Sequence, residues 1–228
     1  MKIVFLNTWN GKLATKIERY IKLHTKDTDI FCFQEVDKEM RKVCDRTLKD
    51  YKCIFYCKNI SENDFWQATY VRNDIYVESE SPVLDKTPEV GLGIYTKLSI
   101  DGKSLHVCNV HGVSRPGDKL DTPERLKQSE ELISFFKNLS GPKIIGGDFN
   151  LDINSKSIKM FEQQGYEELV KKYKISTTRN KFIWERHPDH KQYYSDYVLV
   201  SKDVKVKNFT VSGDEVSDHQ PMILTIIL

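Results

Sequence analysis

The segment KIIGGDFNLD, residues 143–152, joins a short apolar strand to two glycines and two reactive side chains. Alternation along an extended chain puts Asp148 and Asn150 on one face, and the glycines let the backbone turn or approach a ligand closely. A carboxylate and a carboxamide in this position are typical of a catalytic or ligand-binding site. Asp and Asn are also ordinary residues of a polar turn, so other segments must decide.

Polar side chains also end three other apolar strands that lie far apart in the sequence. The first strand ends at Asn7, the second at Gln34 and Glu35, and a strand in mid-chain at Asn109 and His111. Glu is rarely buried without a cation or a metal beside it, which makes Glu35 a candidate ligand. The alternative is a Glu that caps the following helix.

Two carboxylates and a histidine occur near the end of the chain. Asp196 begins an apolar strand, and Asp218 and His219 directly precede the last one. An imidazole needs an orienting acceptor to act as an acid or base at neutral pH, and Asp196 could supply it. The oxygen donors of Asn7, Glu35 and Asp218, without clustered Cys or His, favour Mg²⁺ or Mn²⁺ over Zn²⁺.

Composition narrows the class of protein. A chain of 228 residues with 39% hydrophobic residues predicts one domain over residues 1–228. The net charge of only +2 excludes the strong overall positive charge that is typical of nucleic-acid or membrane binders. Any site for a polyanion must therefore be local. We expect no membrane span and no secretory signal, because the apolar runs are too short. The chain has five cysteines, an odd number, which predicts reduced thiols and a cytoplasmic protein. Cys53 and Cys57 are four residues apart, but the sequence offers no second pair of ligands for a zinc site beside them.

Strands and helices must bring these residues together. Apolar spacing predicts helices at residues 13–24, 38–49, 122–136 and 155–164 and a helical turn at 167–173. Runs of β-branched and aromatic residues predict strands at 2–7, 30–33, 51–57, 67–71, 75–78, 91–97, 104–110, 143–145, 194–200, 205–211 and 222–228. This order predicts an α/β protein with two sheets packed face to face and helices outside.

The motifs in this order resemble the endonuclease/exonuclease/phosphatase superfamily, the relatives of exonuclease III and pancreatic-type deoxyribonuclease, over nearly the whole chain. The matching residues are Asn7, Gln34-Glu35, Asn109-Val110-His111, Gly147-Asp148-Phe149-Asn150, Asp196 and Ser217-Asp218-His219. The resemblance implies a four-layer α/β/β/α sandwich with two mixed sheets. It also implies a metal-dependent hydrolase of phosphate esters.

The resemblance also implies a role for each metal-side residue. Glu35 would ligate Mg²⁺ or Mn²⁺, and Asn7 and Asp218 would assist directly or through water. Asp148 would orient or deprotonate the attacking water. Asn150 would hold that water or a phosphoryl oxygen.

The same resemblance gives roles to the imidazoles. Asp196 would fix the tautomer of His219, which acts either as a general base or as a phosphate-binding cation. These two roles need opposite protonation states, and the sequence leaves both open. His111 would contact the phosphate or protonate the leaving group.

Substrate specificity is expected in the loops. The loop after His111 could place Arg115 or Lys119 on a phosphate, and Arg179 adds a second candidate cation, with an ordinary solvated turn as the alternative. Asn109 is a further candidate for substrate binding. Trp184 lies among basic residues and could stack on a base or simply pack.

Three functions fit these residues. The first is a metal-dependent phosphodiesterase or nuclease, with nucleic acid as a candidate partner. The second is a phosphatase for a small or lipid-derived phosphate, and the third is a non-catalytic phosphate-binding module, against which the intact polar set argues. The compact length leaves little room for insertions that grip duplex DNA, which disfavours an abasic-site endonuclease. The substrate, the number of metal ions and the oligomeric state stay open.

Overall fold

The computed structural model describes residues 1–60 and 63–227 and contains two mixed sheets of six strands each. The strands, in chain order, are β1 (Lys2–Asn7), β2 (Ile30–Gln34), β3 (Tyr51–Ile60), β4 (Asn63–Arg72), β5 (Tyr76–Val83), β6 (Leu92–Ile100), β7 (Lys103–His111), β8 (Lys143–Asp148), β9 (Glu167–Glu168), β10 (Asp196–Val200), β11 (Lys205–Val211) and β12 (Met222–Ile227). The first sheet has the order β11-β12-β1-β2-β4-β3, and the second has the order β5-β6-β7-β8-β10-β9.

Helices cover the outer face of each sheet. Helices α1 (Ala14–His24) and α2 (Lys38–Thr47) lie on the first sheet, and α3 (Pro123–Lys137) and α4 (Lys156–Gln163) lie on the second. Two shorter helices are α5 (Leu169–Lys172) and α6 (Lys181–Arg186), and Phe182 of α6 stacks on Trp9. Alternation in β1 explains the layering, because Val4 and Leu6 pack with α1 and α2 while Ile3 and Phe5 join the core between the sheets. The predicted four-layer α/β/β/α sandwich is confirmed.

Each sheet has a parallel strand pair at its centre, and these pairs bring the polar strand ends together. β1 and β2 pair in parallel so that Asn7 lies opposite Gln34, and β7 and β8 pair in parallel so that His111 lies opposite Asp148. The sheets approach closely here, since a Cβ on Gly146 would lie 2.7 Å from Phe5 Cε1. The carboxyl ends of four strands therefore meet at one edge of the sandwich.

The structure differs from the predicted elements chiefly at four places. Strand β8 continues through Gly146 and Gly147 to Asp148, beyond the predicted end at Ile145. Strand β5 continues to Val83 because it is an edge strand, where polar residues and Pro82 are tolerated. The predicted helical turn at 167–173 divides into β9 and α5, and α5 begins where Glu168 accepts from the backbone N–H of Val170. Helix α6 was predicted as loop, and Asn180 caps it by accepting from the N–H of Phe182.

No helix within residues 1–60 and 63–227 has both the length and the apolar character needed to cross a bilayer.

Candidate active site

Glu35 lies in a tight turn directly after β2. Its backbone is left-handed, with φ of 54°, and the Thr8 hydroxyl holds the turn by donating to the Glu35 carbonyl at 2.7 Å. Its carboxylate accepts from Asn7 Nδ2 at 3.0 Å and from Asn10 Nδ2 at 3.1 Å. The side chain is 24% exposed, so a ligand can reach it from solvent.

Asp148 is the most enclosed carboxylate of the site, with 2% of its side chain exposed. Its Oδ1 accepts from the backbone N–H of Asn150 at 2.9 Å and from the Ser195 hydroxyl at 2.6 Å. Burial opposes its ionisation, but the neighbouring His219 and Lys119 outweigh that effect and hold the pKa of Asp148 below its usual range. Asp148 is therefore ionised at neutral pH.

Asn7 joins these two carboxylates. Its Nδ2 donates to Glu35 and, at 3.0 Å, to Asp148 Oδ2, while its Oδ1 accepts from the backbone N–H of Trp9 at 2.9 Å. The Trp9 contact orients the amide so that its donor faces the carboxylates. In this geometry Asn7 positions Glu35 and Asp148 and does not present the oxygen expected of a metal ligand.

His111 completes a group that could hold a metal ion. Its Nε2 lies 3.8 Å from Glu35 Oε1 and 4.0 Å from Asp148 Oδ2, and one ligand atom from each residue lies within 4.8 Å of the others. Burial lowers the pKa of His111, which favours the neutral ring. Two carboxylates and a neutral imidazole nitrogen converge, and this donor set could hold a divalent cation, whose charge would neutralise the carboxylates.

Asp196 and His219 form a second, fully buried group beside Asp148. His219 Nδ1 lies 2.9 and 3.0 Å from the two oxygens of Asp196, and its Nε2 lies 3.7 Å from Asp148 Oδ2. Asp196 thus fixes the tautomer with the proton on Nδ1. Burial raises the pKa of Asp196.

Charged neighbours decide how readily His219 takes a second proton. Burial and Arg179 disfavour protonation, but Asp196, Asp148 and Asp218 outweigh them and raise the pKa of His219. In this structure Nε2 accepts from Arg179 Nη1. With the proton held on Nδ1 by Asp196, Nε2 is the nitrogen that carries the free lone pair.

Arg179 and Asp218 are a buried ion pair. Arg179 Nη2 donates to Asp218 Oδ2 at 2.9 Å, and the two residues are 5% exposed in their side chains. The two metal-capable groups found among the described residues contain Glu35, His111, Asp148, Asp196 and His219 but not Asp218. The structure thus places Asp218, predicted as a metal ligand, on the guanidinium of Arg179.

Three other predicted residues take different positions. Asn150 donates to the Gly112 carbonyl at 2.9 Å and accepts from Lys119 Nζ, so both ends of its amide are engaged within the protein. Asn109 is fully buried, accepts from Gln34 Nε2 at 2.5 Å and donates to the Phe33 and Ala68 carbonyls at 3.1 Å. It clamps the two sheets together and presents no polar atom to a substrate. Arg115 is exposed in the loop after β7.

The sequence analysis missed or underrated three residues of the site. Lys119, weighed only as one of two loop cations, is buried against Asn150. Ser195 donates to Asp148, and its position directly before Asp196 was the available signal. Asn10 donates to Glu35, and no sequence pattern singled it out.

Known proteins resemble this chain in sequence to different extents. The pattern of the Endonuclease/Exonuclease/phosphatase family matches residues 4–219. A phospholipase C of Staphylococcus aureus is 29% identical over 123 residues, which cover 49% of this chain and 37% of that protein. The chain therefore spans less than half the length of this relative.

Solved structures share the fold over its full extent. A Bacteroides thetaiotaomicron mannosyl-6-phosphatase has a TM-score of 0.77 at 18% identity and covers 100% of both chains. A truncated Caenorhabditis elegans TDP2 has a TM-score of 0.75 at 18% identity and covers 100% of this chain and 97% of that one. The activities in the family's name are all hydrolyses of phosphate esters. With the match over residues 4–219, the chain belongs to the endonuclease/exonuclease/phosphatase family.

Proposed function

We propose that this protein is a divalent-metal-dependent phosphodiesterase that acts on single-stranded nucleic acid. The observation that carries the chemistry is the pair of groups that share Asp148, namely Glu35–His111–Asp148 and Asp148–Asp196–His219. Glu35, Asp148 and His111 would hold Mg²⁺ or Mn²⁺. When bound, the cation would neutralise the phosphate and polarise its oxygens.

The chain's own residues supply the remaining functions of the reaction. Asp148 Oδ2 and His219 Nε2 lie 3.7 Å apart and can orient a water between them. His219 accepts the proton of that water at Nε2 as the water oxygen bonds to phosphorus and the P–O bond to the leaving oxygen breaks. Asp196 stabilises the imidazolium through Nδ1, and the leaving oxygen takes up a proton from solvent. Arg179, released from Nε2, binds a non-bridging phosphoryl oxygen.

His111 serves on the metal side of the site. Burial lowers its pKa, so the ring carries no extra proton to give to a leaving group at neutral pH. Phe65 packs edge-on against it, with ring centroids 5.0 Å apart, and fixes the plane of the imidazole. We therefore prefer a ligand role to the alternative of a leaving-group acid.

An aromatic surface beside the site supports a nucleic-acid substrate. The rings of Trp9 and Phe182 are stacked with centroids 6.3 Å apart. Four cations surround them, since Lys12 and Arg186 lie 4.5 and 5.5 Å from the Trp9 centroid and Lys16 and Lys181 lie 5.5 and 5.7 Å from that of Phe182. Stacking platforms flanked by cations are how proteins bind unpaired bases and their phosphates.

Trp184 has a packing role instead. Its ring is half-buried, its Nε1 donates to the Gln192 carbonyl at 2.8 Å, and it packs on Tyr193 with centroids 5.4 Å apart. Base stacking, which the sequence had suggested for Trp184, fits Trp9 better because the backbone N–H of Trp9 contacts Asn7 in the site.

A phosphatase for a small phosphate monoester is the second candidate. A cavity of about 720 Å³ lies against Arg179 and Lys119, with Tyr193, Tyr194 and Ile183 among its walls. Its size suits a compact organic group. A phospholipid is a further candidate substrate, by analogy with the S. aureus phospholipase C, and the assay below includes one.

One assay separates these functions. We expect cleavage of single-stranded DNA or RNA with Mg²⁺ or Mn²⁺, slower cleavage of duplex DNA, and loss of activity with chelator. Faster turnover of a nucleotide monoester would favour the phosphatase, and turnover of a phosphoinositide would favour a lipid phosphate. Chelator-insensitive binding without turnover would show a phosphate-binding module and sink the proposal.

We also propose a cytoplasmic location. The five cysteines are all free, and Cys32, Cys44 and Cys108 are buried, which suits a reducing compartment. Fractionation of cells that produce the protein would test this.

A further inference from the structure

Lys119 is a buried amine that the mechanism above leaves unused. Its side chain enters the site from the loop after β7, and the residue is 8% exposed. Among the residues that the structure describes, Asn150 Oδ1 is the one hydrogen-bond acceptor of Nζ. An ammonium has three N–H groups. Two N–H groups therefore remain for a ligand.

Arg125 on α3 fixes the loop that carries Lys119. Its side chain is fully buried, and its guanidinium donates to the carbonyls of Val113 at 3.2 Å and Ser114 at 3.3 Å, and also to those of Pro116 and Leu120. The loop is thus wrapped around one side chain, an arrangement that a solvated turn does not need.

Lys119 itself has a constrained backbone. Its φ is 63°, a region that residues other than glycine seldom occupy, and its carbonyl accepts from the N–H of Asp152 at 2.7 Å. The contact with Asp152 and the wrapped loop together hold the amine at one position. Preorganised cations of this kind are characteristic of sites that bind developing negative charge.

A ligand can reach this amine. Lys119 and Arg179 both line the cavity of about 720 Å³, whereas Glu35, Asp64 and His111 line a separate, acidic cavity of about 420 Å³. Two cations therefore face one cavity, and the carboxylates that suit a metal face another. Asp148 neighbours residues of both sets, since its Oδ2 lies 4.0 Å from His111 Nε2 and 3.7 Å from His219 Nε2, which accepts from Arg179.

The charges around Lys119 agree with this position. Burial lowers the pKa of Lys119 to about 8, which Arg179 and Arg125 reinforce and Asp148 and Asp196 oppose. The amine is therefore charged at neutral pH and loses its charge in mildly alkaline solution.

We propose that Lys119 is a catalytic residue that binds a non-bridging oxygen of the phosphoryl group, beside Arg179, from the cavity of about 720 Å³. This inference rests on the proposed phosphoesterase function and adds to it a second protein cation, which lines a cavity separate from the acidic one. The ammonium stabilises charge and exchanges no proton with the substrate. Arg125 is the corresponding positioning residue, because it acts through the loop.

The test compares K119M with the control K127M, which removes an exposed lysine of α3. Removing one donor to a developing oxyanion typically costs about 10²–10³ in kcat, and we expect K119M to lose at least about 10²-fold while K127M stays within about twofold. Inorganic phosphate, titrated calorimetrically, should bind K119M at least about tenfold more weakly. The Mg²⁺ concentration for half-maximal activity should not change.

A charge-retaining variant checks that the effect is not structural. K119R should recover activity relative to K119M. We expect the kcat/KM of the wild type to fall above about pH 8 as Lys119 loses its charge, and that of K119R to show no such fall. Circular dichroism melts establish that each variant is folded. If K119M keeps kcat within about threefold and binds phosphate normally, the inference is overturned.

Failure of the proposed function gives a different result. A wild-type protein that hydrolyses no ester but binds phosphate in a Lys119-dependent way would refute the phosphoesterase and support the anion site. Active wild type with a fully active K119M would refute the inference alone.

Discussion

Replacing Asp148 by Asn tests the centre of the proposed site with little change of shape. The carboxylate accepts from Asn7, Asn150 and Ser195, and its Oδ2 lies 3.7 Å from His219 Nε2. An amide at this position must turn its NH₂ group toward a donor on one side or toward the imidazole on the other. The variant therefore loses both the charge and one acceptor.

The expected loss follows from these contacts. Two unit charges about 4 Å apart interact by about 4 kcal/mol at an effective dielectric constant of about 20, so Asp148→Asn removes a large part of what favours the protonated form of His219. A positioned acid or base contributes about 10²–10⁴ in rate. We expect kcat to fall at least about 10²-fold, which is about 3 kcal/mol in the barrier.

Stability should fall as well. The substitution removes hydrogen bonds and a carboxylate charge that His219 and Lys119 favour more strongly than burial opposes it, so we expect the free energy of unfolding to fall by about 1–3 kcal/mol. The assay is steady-state cleavage of single-stranded DNA at saturating Mg²⁺, with urea unfolding alongside. Asp203→Asn, at an exposed position in the turn before β11, is the control. A folded Asp148→Asn protein within about fivefold of wild-type kcat would refute the reasoning.

Three further predictions test separate parts of the structure. Glu35→Gln should raise the Mg²⁺ concentration for half-maximal activity at least about tenfold. The control Glu39→Gln, at an exposed position, should leave that concentration unchanged. An unchanged Mg²⁺ titration of Glu35→Gln would show that Glu35 is not a ligand. Gly146→Ala should destabilise the fold by about 1–3 kcal/mol in urea, because its Cβ would lie 2.7 Å from Phe5 Cε1, while Gly213→Ala, with no atom near its Cβ, should stay within about 0.5 kcal/mol. His106 is buried between the Tyr95 hydroxyl and the Ser140 carbonyl, and burial lowers its pKa. The unfolded state therefore takes up the proton first as pH falls below about 6.5, so the wild type should lose stability toward pH 5 more steeply than His106→Gln, and equal slopes would contradict the assignment.

The sequence could predict the fold and the edge at which the site lies. Parallel strands end at the same edge of a sheet, so polar residues placed directly after apolar strands must gather there. The pairing of Asn7 with Gln34 and of His111 with Asp148 realises this. The order of the motifs supplied the rest, because it was the basis of the resemblance that implied the four-layer sandwich.

The sequence could not predict what each side chain contacts within that edge. Asn109 and His111 share a face of β7, but Asn109 lies two residues farther from the end of the strand. It is therefore deeper between the sheets, where it hydrogen-bonds to Gln34 and Phe33 of the other sheet. The orientation of the Asn7 amide depends on one backbone N–H, that of Trp9. Lys119 sits in a stretch that reads as a polar turn, and only the burial of Arg125 in the same structure explains why the loop folds inward.

Asp148 links the two halves of the site, and this sharing has a consequence for the order of events. Its Oδ2 faces His111 at 4.0 Å and His219 at 3.7 Å, so a cation bound on the Glu35 side would withdraw negative charge from the imidazole of His219. Because the carboxylates are what raise the pKa of His219, cation binding should lower that pKa and keep Nε2 free to accept a proton. The ring would thus be ready as a base once the metal-side group is neutralised, and Arg179, no longer needed at Nε2, would be available to the phosphate.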